Sequence, residues 1–276
     1  MTLEIEKLSV NYRTANGLFQ AVDNVSFTIQ PGMCTGLVGE SGSGKSATAH
    51  AILRLLPSNA IVTGSIRLNG QVLTSFSERE LRTIRGKQVG MIFQDPHSAL
   101  NPTMKIGKQL KEAILAHESL TQAQMEQRIQ KVMRLAGLGK DQGILTLYPF
   151  QISGGMKQRV MIAIAIVNEP KLLIADEPTT ALDAALQTEI LKEIKTIQNN
   201  TGMSVLLISH DLDLVQGFCS DLCILYRGQL VEQGKNETII RSPQHPYTRS
   251  LLNVRPKPGQ DRTKPLPTIE FVGDSR

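Results

Sequence analysis

A glycine-rich segment in the first fifth of the chain has the composition of a phosphate-binding loop. It reads Gly-Glu-Ser-Gly-Ser-Gly-Lys-Ser and fits the pattern G-x-x-x-x-G-K-[ST]. Its glycines allow consecutive backbone N–H groups to surround phosphate oxygens, and a helix N-terminus after them adds a favourable dipole. The lysine would neutralise the β- and γ-phosphates, and the last hydroxyl would bind Mg²⁺. The predicted nucleotide contacts are Gly39, Glu40, Ser41, Gly42, Ser43, Gly44, Lys45 and Ser46.

Two adjacent carboxylates follow an apolar segment much later in the chain. Residues Leu172 to Ala175 predict a buried strand, and Asp176 and Glu177 come directly after it. Because α/β proteins bind ligands at the carboxyl edge of their sheets, Asp176 could hold Mg²⁺ there. Glu177 could polarise an attacking water as a general base. Such a strand end is a weak signal alone, since it often only caps a helix, but beside a phosphate loop it becomes strong.

The elements around the loop follow from apolar periodicity. Alternating apolar and polar residues predict antiparallel strands in the first thirty residues, on either side of a turn at Asn16-Gly17. A short buried strand from Cys34 to Val38 precedes the loop. A helix from about Lys45 to Leu55 follows it and is expected to stop before Pro57. The loop therefore lies between a strand and a helix, as phosphate binding requires.

The middle of the chain has a helical pattern. Thr121 and Gln124 form a capping-box pair ahead of apolar positions that share one helix face. We therefore predict an inserted helical subdomain at about residues 95–167. Strands return on both sides of a helix predicted from about Ala184 to Gln198, and this alternation implies a parallel sheet.

The composition is that of a soluble globular protein, and the length has room for one large α/β domain or for two small subdomains that share one core. The chain has 276 residues, of which 41% are hydrophobic and 20% charged. It lacks both a signal-peptide core at the N-terminus and a run of about 18 to 20 apolar residues, so we expect it in the cytoplasm. The net charge of +5 comes without a dense basic run, and no nucleic-acid partner is predicted. Cys34, Cys219 and Cys223 fit core positions better than a zinc site.

A third motif, Ile152-Ser153-Gly154-Gly155-Met156, lies between the phosphate loop and the carboxylate pair. With the order of the other motifs, it makes the chain resemble the ATP-binding-cassette (ABC) ATPase family over nearly its whole length. That family has an LSGGQ signature at this position. A hydroxyl and glycine amides at the start of an apolar helix could bind a γ-phosphate, which in the family belongs to the opposite subunit. Met156 replaces the glutamine of the signature and removes a polar group. The nucleotide contacts implied here are Ser153, Gly154 and Gly155.

The resemblance also assigns roles by position. It implies that Tyr12 stacks on adenine, that Gln94 senses Mg²⁺ and the membrane partner, and that His210 contacts the γ-phosphate. Asp183, in the segment Ala181-Leu182-Asp183, would lie in the loop that crosses between subunits. Each residue has an ordinary structural explanation alone, and their joint order favours the functional one. The implied catalytic residues are Glu177, His210 and Gln94, and the implied metal ligands are Ser46, Gln94 and Asp176.

The same resemblance implies a fold and an assembly. The fold class is α/β, a phosphate-loop NTPase of the ABC type with a RecA-like core, an antiparallel β subdomain and an inserted helical subdomain. The ABC ATPase domain would span residues 1–250, and residues 251–276 would form an extended C-terminal extension. The cofactors would be ATP and Mg²⁺. The partners would be a second ABC ATPase subunit, with a different chain favoured, two transmembrane permease subunits and an extracytoplasmic substrate-binding protein. The chain would be peripheral on the cytoplasmic side of the cell membrane.

A segment near the C-terminus is similar to one branch of the family. Ser242-Pro243-Gln244-His245-Pro246-Tyr247-Thr248 resembles the ending of ATPases that serve oligopeptide, dipeptide and nickel importers. Asp95-Pro96 and Ala99-Leu100-Asn101-Pro102 are similar to the same branch. The alternative is a surface segment whose prolines only end a helix and a strand. No cysteine follows Cys223, so no iron–sulfur cluster is predicted.

The predicted function is therefore ATP hydrolysis coupled to uptake of peptides or of nickel and other metal-chelate complexes. The competing class is a soluble ABC ATPase of DNA repair or translation. Repair relatives carry a very long coiled coil and translation relatives usually two cassettes, and this chain has neither. A regulatory module without turnover is disfavoured because Glu177 and His210 are both present. The sequence leaves the cargo and the identity of the partner cassette open.

Overall fold

The computed structural model describes residues 1–139, 142–180 and 182–253. The strands of these residues are β1 (Leu3–Thr14), β2 (Gly17–Ile29), β3 (Cys34–Val38), β4 (Ala60–Leu68), β5 (Gln71–Val72), β6 (Val89–Ile92), β7 (Leu172–Asp176), β8 (Ser204–Ser209), β9 (Asp221–Tyr226) and β10 (Gln229–Lys235). The helices are α1 (Lys45–Ile52), α2 (Glu78–Ile84), α3 (Pro96–Ala99), α4 (Ile106–Leu115), α5 (Gln122–Leu135), α6 (Gly154–Ile166), α7 (Ala184–Thr201), α8 (Leu212–Gln216), α9 (Asn236–Arg241) and α10 (Pro246–Asn253). Short 3₁₀ helices lie at Leu73–Ser75, Gln142–Thr146 and Pro149–Gln151.

The first sheet is antiparallel, with the order β2-β1-β4-β5. Residues of β1 and β2 alternate between buried and exposed over much of their length, as in strands with one face on a core. Gly17, at a φ of 110°, closes the hairpin between them. In this hairpin Tyr12 lies directly opposite Phe19, so both side chains are on one face of the sheet. The sheet is the predicted antiparallel β subdomain.

The second sheet carries the phosphate loop and the carboxylate pair, and its order is β10-β9-β3-β8-β7-β6. All of its strands except β10 run parallel. Every residue of β3, β7 and β8 is buried, because helices cover one face of the sheet and α1 with the antiparallel sheet covers the other. Since β3 and β7 both pair in parallel with β8, the residues that follow them lie at the same edge.

Helices fill the chain between β6 and β7, at residues 96–166. Helix α5 begins at the predicted capping box, where the Thr121 hydroxyl accepts the Gln124 N–H and the Gln124 side chain accepts the Thr121 N–H at 3.0 Å. Its apolar face is buried and packs in one core with α6 and the sheet. The capping-box prediction is confirmed.

Two element bounds differ from the sequence prediction. Helix α1 ends at Ile52 rather than near Leu55, because Arg54 takes a left-handed conformation with a φ of 50°. Helix α10 continues to Asn253, so the first residues of the predicted extended tail are helical. The remainder of that predicted extension, residues 254–276, lies outside the described residues.

The three cysteines are buried thiols, as predicted, and burial raises the pKa of Cys223 to about 12. The Sγ atoms of Cys34 and Cys219 are 2.9 Å apart. Across the described ranges, no helix has both the length and the apolar character that a membrane crossing needs.

Candidate active site

The glycine-rich segment forms a tight loop between β3 and α1. Gly42 and Gly44 have φ angles of 79° and 102°, which favour glycine over any residue with a Cβ. A Cβ on Gly44 would lie 2.5 Å from the carbonyl oxygen of Ala21. Ser43 Oγ is buried and has no hydrogen-bond partner within the described part of the chain. A buried polar atom left unpaired in such a loop fits a ligand with acceptor oxygens, as a phosphate has.

Lys45 is the buried cation of this loop, with 4% of its surface exposed. Its Nζ donates to the carbonyl oxygens of Gly39 and Glu40, each at 2.8 Å. It also lies 4.0 Å from Oε1 of Glu177. Burial lowers the pKa of Lys45, and the carboxylates around it oppose that shift. The amine is therefore held at the mouth of the loop by neutral carbonyls, which a phosphate can replace.

Ser46 and Asp176 form a second pair at the same edge. The Ser46 hydroxyl donates to Oδ1 of Asp176 at 2.9 Å, and Nε2 of His50 lies 3.8 Å from Oδ2. Burial raises the pKa of Asp176, against the hydrogen bond from Ser46. Hydroxyl and carboxylate oxygens are the ligands that Mg²⁺ prefers, so the donor set fits this metal.

Glu177 is held by side chains from three other positions. Its Oε2 accepts from Nε2 of Gln94 at 3.1 Å and from the Thr180 hydroxyl at 2.8 Å. Its Oε1 lies 3.3 Å from Nδ1 of His210. The backbone at Glu177 is left-handed, with a φ of 45°, and such strain costs about 1–3 kcal/mol where the surroundings enforce it. The carboxylate is thus oriented in advance toward the loop, as a general base requires.

These groups line a pocket of about 910 Å³ at the carboxyl edge of the parallel sheet. The volume lies within the range of small-molecule sites in proteins. Predicted site residues in the lining are Glu40, Ser41, Gly42, Gly44, Lys45, Ser46, Gln94, Glu177 and His210. Asp176 lies beneath them, in contact with Ser46. The structure thus brings together two motifs that are 130 residues apart in sequence.

Tyr12 and Phe19 are paired aromatic residues of the hairpin beside this pocket, and Phe19 is the one of the pair that lines it. Tyr12 is partly buried against the β-subdomain core, and burial raises its pKa. Phe19, opposite it in the hairpin, is 58% exposed and lines the pocket. Among the described residues, the lining includes Phe19 and does not include Tyr12. The adenine contact of Tyr12 stays a prediction, and Phe19 is a second candidate for it.

The third motif lies outside the lining of this pocket. Ser153 is exposed and caps α6, its hydroxyl accepting the Met156 N–H at 3.3 Å. Gly155 lies against α7, where a Cβ would come 2.6 Å from Cδ2 of Leu186. Asp183 is exposed and caps α7. In the part of the chain that the structure describes, the pocket lining includes neither residues 153–155 nor Asp183, and Ala181 is outside that part.

Sequence reasoning missed several residues of the pocket. Thr180 stands three positions after Glu177, and its spacing within Glu-Pro-Thr-Thr was the available signal. Phe19 could have been found as the aromatic residue opposite Tyr12 in a hairpin turned at Asn16-Gly17. Leu251 reaches the lining from α10, and its contact depends on packing that no local pattern reveals.

A phosphate loop, a partly buried Ser–Asp pair and an oriented glutamate at one sheet edge define a phosphate-loop nucleotide hydrolase. Residues 22–180 match the ABC transporter family, and the chain belongs to that family. Residues 231–271 match the C-terminal region of oligopeptide/dipeptide transporters. The predicted resemblance to ABC ATPases of this branch is thereby confirmed.

Relatives and solved structures agree. The chain is 40% identical over 274 residues to the oligopeptide transport ATP-binding protein OppD of Bacillus subtilis, covering 99% of this chain and 74% of that protein. It is 42% identical over 263 residues to the dipeptide transport ATP-binding protein DppD of Escherichia coli, covering 95% and 80%. It is 44% identical over 269 residues to the peptidoglycan transport ATP-binding protein YejF of Agrobacterium fabrum. That alignment covers 96% of this chain but only 49% of the longer relative.

Among solved structures, the chain is similar to the dimeric ATP-binding cassette MJ0796 in a post-hydrolysis state bound to ADP and Pi. The TM-score is 0.76 at 25% identity, over 85% of this chain and 98% of that one. The cassette cbiO1 of Clostridium perfringens gives a TM-score of 0.73 at 26% identity, over 87% and 90%. The predicted fold class is therefore confirmed.

Proposed function

We propose that this chain is the ATP-hydrolysing subunit of an importer that takes up oligopeptides or dipeptides. The observation that carries the proposal is the C-terminal match to oligopeptide/dipeptide transporters, on a chain whose relatives OppD and DppD are named for peptide transport. The site supplies the chemistry that such a subunit needs. Nickel or another metal chelate is an alternative cargo that the uptake experiment below separates.

The loop and the edge residues divide the work of hydrolysis. Loop N–H groups and Lys45 would bind the phosphates of ATP once Lys45 leaves the carbonyls of Gly39 and Glu40. Ser46 and Asp176 would hold Mg²⁺, which supplies charge neutralisation at the β- and γ-phosphates. Gln94 would complete that set of ligands. Its side chain already lies at this site, where its Nε2 donates to Glu177.

Glu177 would accept the proton of the attacking water, because its carboxylate faces the pocket and its orientation is fixed by Gln94 and Thr180. His210 lies beside the same carboxylate and would contact the γ-phosphate. Phe19 and Tyr12, side by side on the hairpin, would provide the face on which adenine stacks.

A second cassette would complete the site. Ser153, Gly154 and Gly155 lie at the start of α6, outside the pocket lining, and Ser153 and Gly154 are exposed, so they would fit the γ-phosphate of an opposite subunit. Asp183 caps the neighbouring helix on an exposed surface and would lie at the same contact. We propose a different chain as that second cassette, with two permease subunits and an extracytoplasmic binding protein. The chain would be peripheral on the cytoplasmic side of the membrane.

The test is uptake in the organism that makes the chain. Deleting its gene should abolish uptake of radiolabelled peptides, and the wild-type chain should restore it while Glu177→Gln should not. Lys131→Ala, a change at an exposed ion pair with Glu169, is the matched control and should restore uptake. Loss of nickel uptake with normal peptide uptake would reassign the cargo. Normal import with a defect in export would place the chain in another branch.

A further inference from the structure

The segment before α10 is fixed to the edge strand β10. The backbone N–H groups of Gln244 and His245 donate to the two oxygens of Glu232, at 2.9 and 3.0 Å. Arg249, one turn into the helix, donates from Nε to the carbonyl of Pro243 at 3.0 Å. The Ser-Pro-Gln-His-Pro-Tyr-Thr segment is therefore a turn held by hydrogen bonds, here called the corner at Glu232, and it leads into the first turn of α10, which packs against the core.

Tyr247, in that first turn, reaches the phosphate loop. Its side chain is fully buried, and its ring centroid lies 4.2 Å from that of Tyr226 at the end of β9. The N–H of Glu40 donates to the Tyr247 hydroxyl at 3.0 Å. Glu40 is the second residue of the loop, so this bond ties the C-terminal helix to the loop across 207 residues.

Tyr247 and Lys45 bind the two ends of one peptide unit. The carbonyl of Gly39 and the N–H of Glu40 belong to the same peptide bond. Lys45 donates to that carbonyl, and Tyr247 accepts from that N–H. Close packing limits the position of this peptide, since a Cβ on Gly39 would lie 2.2 Å from the carbonyl oxygen of Leu225. Its orientation is set by the hydrogen bonds at its two ends.

Phosphate binding at the loop would disturb one of these two bonds. If Lys45 turned to the β- and γ-phosphates, the Gly39 carbonyl would lose a charged donor, while the bond from Glu40 to Tyr247 would stay in place. We propose that Tyr247 is a positioning residue for nucleotide binding, which keeps the Gly39–Glu40 peptide oriented while Lys45 transfers from the loop to the phosphates. This role rests on nucleotide binding at the loop and is independent of the cargo.

The test compares Tyr247→Phe with the wild-type full-length chain. Phenylalanine keeps the ring against Tyr226 and removes only the hydroxyl, so the N–H of Glu40 is left without that acceptor. We expect the Kd for Mg-ATP by calorimetry to rise about three- to tenfold, from the loss of one hydrogen bond. The kcat at saturating ATP should stay within about twofold, because the hydroxyl acts at the start of the loop. Tyr148→Phe, which removes a hydroxyl in the helical region, is the control and should leave both values unchanged.

Hydrogen exchange gives a readout that general destabilisation would not reproduce. With Mg-ATP bound, the peptide that contains Glu40 should exchange faster in Tyr247→Phe than in the wild type, while peptides from α5 should exchange alike. An unchanged Kd, or a fall in kcat with an unchanged Kd, would overturn the role. Lys45→Ala distinguishes failure of the loop assignment from failure of the role of Tyr247. If Lys45→Ala still binds ATP, the loop assignment fails and this role fails with it. If Lys45→Ala loses binding and Tyr247→Phe binds normally, this role alone is wrong.

Discussion

The hydroxyl of Ser46 donates to Oδ1 of Asp176 at 2.9 Å, across the edge of the parallel sheet. Ser46 lies at the start of α1, after β3, and Asp176 is the last residue of β7. The two strands lie on either side of β8, with their carboxyl ends at the same edge. A cation that takes both oxygens as ligands has to replace this hydrogen bond. The position proposed for Mg²⁺ is thus closed in this structure by the protein's own donor and acceptor.

Lys45→Ala should remove nucleotide binding and turnover together. The variant loses the only cation that donates to the loop carbonyls in the described residues, and the phosphates then lack charge compensation. Calorimetry with Mg-ATP and a phosphate-release assay measure both effects. The control Lys131→Ala removes an exposed lysine and should behave as the wild type. ATP binding that survives in Lys45→Ala would show that the loop is not the phosphate site.

Glu177→Gln should slow hydrolysis by roughly two to four orders of magnitude while ATP binding is kept. Glutamine has the shape of glutamate and can still hydrogen-bond, but it cannot accept a proton from water. An ATP-bound dimer with the partner cassette should therefore accumulate. Light scattering with and without ATP measures the assembly. A variant that binds ATP and remains monomeric beside its partner would contradict a site completed by the second subunit.

Ser153→Arg should have the reverse effect, with ATP bound at the loop and no dimer. The arginine would occupy the exposed start of α6, where the partner's γ-phosphate is expected. Thr121→Arg is a matched control, because it also replaces a helix-capping hydroxyl, at the start of α5. The control should dimerise normally if only loss of a cap is involved. Normal dimerisation and hydrolysis by Ser153→Arg would refute the proposed contact.

Glu193 should give a stability change near neutral pH. Burial raises its pKa to about 7, against the nearby Arg159, while an unfolded glutamate titrates near 4.3. The folded state therefore favours the protonated form, and the resulting stability is complete below the unfolded pKa and is lost as pH rises through about 7. Between pH 5 and 7.5, the Tm of the wild type should fall relative to that of Glu193→Gln.

Glu189→Gln tests the same electrostatics, since the Glu189 carboxylate, which is 60% exposed, adds to the rise in the pKa of Glu193. Its Tm should fall less than that of the wild type over the same range, because removing that charge lowers the pKa of Glu193. If the wild type instead gains stability over Glu193→Gln as pH rises, the ion pair with Arg159 outweighs the burial of the carboxylate.

The parts of the site that the sequence predicts are those built from contiguous residues. The glycines between Gly39 and Ser46 indicate the geometry of the loop, and an apolar run ahead of Asp176 predicts the strand. Parallel pairing then follows from the alternation of strands and helices. Once both strands lie beside β8, the contact between Ser46 and Asp176 requires little more than the sheet itself.

The contacts that escaped prediction depend on where distant segments pack. Nothing local distinguishes Tyr12 from Phe19, because only the hairpin's position over the loop decides which ring enters the pocket. The bond from Glu40 to Tyr247 needs β9, β10 and the corner at Glu232 to be in place first. The early end of α1 at Ile52 likewise follows from the left-handed backbone of Arg54.

The close approach of Gly155 to Leu186 makes the side chain that residue 155 can carry depend on the side chain at residue 186. A side chain at residue 155 would overlap Cδ2 of Leu186 unless that leucine moved or became smaller. An alanine at 155 is therefore expected to need either a movement of the Leu186 side chain or a smaller residue at 186. Through this contact, a change at the start of α6, near Ser153, is expected to alter the packing at the start of α7, near Asp183, although the two helices are separate in the sequence.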